Sequence, residues 1–186
     1  MELSLDGISE PFISFIEPLR SLEVRSEFNV LQIPAPKGIA PESLAVSIEV
    51  SHDLPVDHGV SRLVFCRDDS SPEGWHGTYR VIGYAKSAVE LEMARDVYFE
   101  ELPWQWLLES LRRVGAGLSH EAGTTTTVIS TGHGNLAAQP QHAEVEIRAS
   151  WSPNGGDARQ HTLGWIETLA MLSGLSPEDS IVTRLK

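Results

Sequence analysis

The sequence predicts an α+β fold: a single antiparallel sheet of about five or six strands, with helices in the order α-βββ(β)-α-ββ-α. Three observations predict it. Apolar and polar residues alternate with the period of a half-buried strand at 44–51 and, most cleanly, at 142–151. Apolar residues recur at helical spacing near the start, in the middle and near the end of the chain. The connections between successive strand-like runs are short, which favours antiparallel neighbours with helices on one face of the sheet.

The first helix is expected over 9–22. Ser9 can cap it, Pro11 falls in the first turn, and Ile8, Phe12, Phe15, Ile16, Leu19 and Leu22 form one apolar stripe. Pro18 should kink or shorten it, because an interior proline costs about 3 kcal/mol. Phe28, Val30, Leu31 and Ile33 suggest a short strand. The run IPAPKGIAPE (33–42), with three prolines, should be irregular. Leu44, Val46, Ile48 and Val50 mark the next strand, 51–59 is expected to be a turn or loop, and 60–67 and 77–87 form a further strand pair.

A second helical region is expected over about 88–114, capped by Ser87 with Glu90 at the capping-box spacing. Pro103 should divide it into pieces near 88–97 and 103–114, and Gly115 and Gly117 should end it. Two strands follow, at 124–131 and 142–151, joined by a flexible loop over 132–141. The last helix, about 157–173, is capped by Asp157 and stopped at Gly174. The expectation is one α+β domain over 1–186.

Composition bounds the function. The 186 residues carry 14 Lys and Arg against 26 Asp and Glu, a net charge of −12, and no basic stripe longer than Arg112-Arg113. Such a chain repels phosphate backbones and anionic lipid, so neither nucleic acid nor membrane is an expected partner. The opening MELSLDGISE lacks the basic and apolar regions of a signal peptide, and no apolar run approaches the ~18–20 residues needed to span a bilayer. A cytoplasmic location is expected. Six acids (Glu90, Glu92, Asp96, Glu100, Glu101, Glu109) against Arg95 read as a solvated surface. The lone Cys66, in the apolar run Leu63-Val64-Phe65-Cys66, reads as a buried thiol and excludes an internal disulfide.

Sequence motifs for the common enzyme classes are missing: there is no GxxxxGK[ST], no GxGxxG after a strand and no GxSxG. His120-Glu121 lacks the second histidine of a metalloprotease helix, and Gly132-His133-Gly134 is not a phosphate loop. No catalytic residue, metal ligand or cofactor is assigned. The loop containing His52, Asp53, Asp57 and His58 gathers imidazoles and carboxylates, but Pro55 and Gly59 mark it as a turn rather than a rigid ligand frame.

The binding candidates lie elsewhere. In Glu73-Gly74-Trp75-His76-Gly77-Thr78-Tyr79-Arg80, two glycines flank Trp75 and His76 at a hairpin tip, which offers Trp75, His76 and Arg80 to the sheet or to a partner. Trp104 and Trp106 raise the same question. Residues two apart do not share a helix face, so one should enter the core and the other lie nearer the surface. In HAEVEIRASW, Ala143, Val145, Ile147, Ala149 and Trp151 face one way, and His142, Glu144, Glu146, Arg148 and Ser150 the other. Glu144, Glu146 and Arg148 could hold a ligand, do acid–base work or simply pair across strands on a wet face.

The segments IPAPKGIAPESLAVSIEV (33–50), EGWHGTYRVIGYAKSAVELEMARD (73–96), LPWQWLLESL (102–111) and AEVEIRASWSP (143–153) resemble an actinobacterial domain-of-unknown-function family, numbered three thousand. The resemblance implies a cytoplasmic bacterial protein of this size and carries no catalytic residues. The element order in an acidic chain is also similar to type III secretion chaperone-like folds, which are typically homodimers that hold other polypeptides. The leading expectation is therefore a non-catalytic protein-interaction or chaperone-like module with an unknown protein partner, possible as a homodimer. The competing one is a metal- or acid/base-dependent hydrolase using His52, Asp57, His58 or the polar face of 142–148.

Overall fold

The computed structural model describes residues 1–51 and 59–176. Its centre is a six-stranded antiparallel sheet formed by β1 (Phe28–Ile33), β2 (Glu42–Val50), β3 (Val60–Arg67), β4 (Tyr79–Val89), β5 (Leu118–Ser130) and β6 (His142–Pro153), in the order β1-β2-β3-β4-β6-β5. The first four strands form a meander. The chain then passes α2 (Leu91–Ala94) and α3 (Leu102–Arg113), enters at the far edge as β5, and returns as β6 beside β4. With α1 (Glu10–Ile16) before the sheet and α4 (Ala158–Leu172) after it, the fold is α+β, as expected.

One face of the sheet carries the core. Leu44, Val46, Ile48, Leu63, Phe65, Val81, Ala85, Val145, Ile147 and Trp151 bury against Phe12, Ile16, Leu107, Leu111, Trp165 and Leu169 of the helices. Helix α4 closes this layer. Asp157 caps it with its side chain accepting from the Gln160 N–H, the Gln160 side chain accepts in turn from Asp157 N–H, and Gly174 follows in the left-handed region at φ 71°. The helices α3 and α4 meet at Gly164, where a Cβ would lie 2.9 Å from the Leu111 Cα. That glycine lets two backbones approach.

The opposite face has a second, smaller apolar cluster. Ala45, Val64 and Cys66 are buried beneath Ile33, Ala35, Ile39 and Ala40 of the proline-rich segment, with Trp75 and Ile82 beside them. The prolines prevent regular structure, but the segment packs on the outer face over β2 and β3.

Pro18 shortens the first helix as expected: the α-helix stops at Ile16 and tightens into a 3-10 turn over Glu17–Ser21, because the proline lacks the N–H that an α-helix would need. Other local expectations are corrected. Ser9 makes no capping bond; its N–H and hydroxyl both donate to Glu42. The helix expected at 88–97 shrinks to the four residues of α2, because Ala88 and Val89 continue β4 opposite Glu144 and Ala143. Ser87 is consequently a buried strand residue, 3.2 Å from the Ser173 hydroxyl, and not a cap. Strand β5 begins at Leu118 rather than 124, since a bulge between Ser119 and Ala122 carries the pairing past Gly123.

Candidate functional site

Strand β4 starts just after a reversal that its sequence dictates. A 3-10 turn over Glu73–Trp75 ends at His76, which adopts the left-handed region at φ 52°. The chain then enters β4 with Arg80 on the outer face, opposite Cys66 of β3 and adjacent to the end of β6. On the far side of β6, the β5 bulge places His120 in the same unusual conformation, φ 51°. The imidazoles of His76 and His120 stack with centroids 3.9 Å apart and planes 15° from parallel. Each left-handed residue costs on the order of 1 kcal/mol, tolerated because the surrounding contacts fix both turns.

Arg80 is the hub of this corner. It is only 7 % exposed. Its Nη1 donates to the His120 carbonyl at 2.9 Å and to Ser152 Oγ at 3.0 Å, and its Nη2 donates to Ser150 Oγ at 2.7 Å. The Ser152 hydroxyl donates onward to the Trp75 carbonyl. All of these acceptors are neutral, and among the described residues no carboxylate lies within ion-pair distance of the guanidinium. Burial lowers the Arg80 pKa from its ordinary value. Its Nε–H and second Nη2–H make no bond within the described chain. A guanidinium with donors left over suits a carboxylate or another planar oxyanion.

Trp75 is half-buried against the small outer cluster, so its ring folds back on the sheet while its carbonyl joins the arginine network. The structure thus brings Trp75, His76 and Arg80 together and adds His120, Ser150 and Ser152. Sequence reasoning placed Ser150 on the polar face but gave it no partner. His120 carried no signal beyond its position after a glycine pair, because its role follows from a bulge.

Glu144, Glu146 and Arg148 share the outer face but stand apart from Arg80, the nearest of them, Arg148, about 13 Å further along the strands for four residues of separation. Lys86 pairs with Glu144 at 2.8 Å, and Arg148 donates to Glu146 at 2.7 Å while its guanidinium lies over the Tyr84 ring at 5.6 Å. Burial, then the Glu146 hydrogen bond, raise the Tyr84 pKa. These carboxylates are matched with cations, Glu144 across strands by Lys86 and Glu146 along β6 by Arg148.

Trp104 and Trp106 belong to the helix side. The expectation that one enters the core is corrected: both are half-buried. Trp104 covers Gly123 of β5, where a Cβ would lie 2.6 Å from its ring, and Trp106 meets Phe99 edge-on at 6.4 Å. A glycine on the edge strand receives the first ring, and a loop phenylalanine the second.

Neither His76 nor His120 hydrogen-bonds Ser150 or Ser152, so no base is aimed at a hydroxyl. Among the described residues, no group of three or more His, Cys, Asp or Glu is placed to hold a metal ion. His52, Asp53, Asp57 and His58 lie outside the described residues. Cys66 is buried, and that burial pushes its thiol up to about 11. No described helix is long and apolar enough to cross a membrane.

A family model described as "Protein of unknown function (DUF3000)" matches residues 8–182. No curated protein and no solved structure matches the chain.

Proposed function

The chain belongs to the DUF3000 family, and we propose that it is a non-catalytic, cytoplasmic protein-interaction module. On this reading it forms one domain and takes an acidic group of a partner polypeptide at Arg80, on the outer face of the sheet. A single observation carries the proposal: Arg80 is a buried residue whose guanidinium is bonded to three neutral oxygens and matched by no carboxylate among the described residues. Withdrawing a charge from water without a counter-charge is costly, and a bound carboxylate would offset that cost. Trp75 adds apolar area beside the charge, and the stacked His76 and His120 rings hold the hairpin tip and the β5 bulge in register.

The net charge of −12 sharpens the choice of ligand. A highly charged polyanion would meet the field of the whole molecule, whereas one carboxylate on an otherwise apolar segment meets the local cation. Titration with an extended peptide of apolar residues and one central aspartate tests this directly. Binding that weakens at least ten-fold in Arg80→Gln, and equally when the peptide's aspartate is replaced by asparagine, is expected. Equal binding by both proteins and both peptides would refute the reading.

A further inference from the structure

We propose that β5 is also the contact surface of a homodimer, in which the edge strand of one copy pairs antiparallel with the same strand of a second copy about Thr126. This joins two six-stranded sheets into one continuous sheet and does not depend on the Arg80 reading.

The argument begins with the edge itself. Strand β5 runs for 13 residues at the end of the sheet, and among the described residues its outer side is bonded to no other strand. Natural edges are shielded by charge, by proline, by shortness or by covering segments. Residues 122–130, AGTTTTVIS, have none of the first three in a chain of net charge −12. The opposite edge is managed differently: β1 has six residues, and Gln32 exchanges hydrogen bonds with the backbone of Ser4, holding the amino-terminal segment against it. Two copies with the same large negative charge can approach most easily where their surfaces are neutral.

The sequence of the strand is self-complementary. A two-fold axis perpendicular to the sheet keeps facing side chains on the same face. Centred on Thr126, it sets Thr125 opposite Thr127, Thr124 opposite Val128, Gly123 opposite Ile129 and Ala122 opposite Ser130. The pairs are β-branched or small, which suits cross-strand packing. Glu121 falls outside the nine residues, so like charges do not oppose. The bulge at Ser119 and Ala122, with His120 left-handed, ends the pairing.

The contact with the helix side supplies the apolar anchor. Val128 and Ile129 are 44 % and 42 % exposed, unusual for β-branched apolar side chains in a sheet. Across the axis, Ile129 of one copy meets Gly123 of the other, whose side-chain space is filled by the half-buried Trp104 ring. Ile129 thereby packs on Trp104.

Sedimentation of the full chain at micromolar concentration tests the proposal. The wild type is expected to run at twice its 20.4 kDa mass. Thr126→Lys opposes two ammonium groups across the axis and should raise the dimer dissociation constant at least ten-fold. The new lysine faces Glu146 within its own sheet, so the far-ultraviolet circular dichroism should be unchanged. Mild oxidation of Thr126→Cys should give a covalent dimer, since the native Cys66 is buried. A wild type that remains monomeric overturns the proposal, as does a folded Thr126→Lys chain that remains dimeric. A dimeric wild type whose Thr126→Cys form does not cross-link overturns it too, whether or not the lysine variant folds.

Discussion

The ring of Trp165 stands directly over Gly83: a Cβ at that glycine would lie 2.5 Å from Cη2 of the indole. Both residues are fully within the core, and Trp165 also lies 6.0 Å from Trp151, centroid to centroid. The seat of α4 on the sheet therefore depends on an absent side chain in the middle of β4.

Gly83→Val should destabilise the protein by about 1–3 kcal/mol through overpacking, despite the higher strand propensity of valine. Chemical denaturation checks it. Because the displaced element is α4, the tryptophan fluorescence of the folded variant should also change.

His161 gives the fold a defined acid sensitivity. It is buried in α4, accepts from Trp151 Nε1 through Nδ1 at 3.2 Å, and burial holds its pKa down to about 4 against an ordinary 6.5. The unfolded chain binds a proton at higher pH than the folded chain does. Stability is therefore fully present above pH 6.5 and declines as the pH falls toward 4, by on the order of 3 kcal/mol. Denaturation midpoints between pH 7 and 4.5 measure the decline. His161→Gln should flatten that dependence at a lower overall stability.

Glu42 ties the first helix to the sheet. Its carboxylate accepts from the Ser9 N–H at 2.6 Å, from the Ser9 hydroxyl at 2.8 Å and from Arg67. Burial raises its pKa, but these hydrogen bonds and the Arg67 charge outweigh burial and lower it overall. Glu42→Gln should cost about 1–2 kcal/mol, because it weakens a charge-assisted network without removing its shape. Thermal melts check the loss, and hydrogen exchange should locate it in residues 9–16.

Much of this fold is legible in the residues, and the exceptions share a cause. The alternation of 142–151 assigns each side chain of β6 to its face because a period of two needs no tertiary information. Ala88-Val89-Glu90-Leu91-Glu92-Met93-Ala94 has the local preferences of a helix, yet its first two residues belong to a strand because β6 lies alongside. The early start of β5 is hidden by Gly123 and by the turn-like conformation of His120.

The candidate site divides in the same way. Trp75, His76 and Arg80 stand out locally because two glycines bracket a hairpin tip. What makes Arg80 a hub comes from Ser150 and Ser152, some seventy residues away, which no local pattern connects to it. Trp104 is half-buried because of Gly123, again a relationship across the fold.

The most direct measurement on Arg80 is the proton–nitrogen resonance of its Nε–H, followed while the single-aspartate peptide is added. A bound carboxylate should move that resonance downfield in a saturable way, and the asparagine peptide should leave it in place. An Nε–H that stays fixed while the aspartate peptide binds, or that moves equally with both peptides, would contradict recognition of an acidic group at this site.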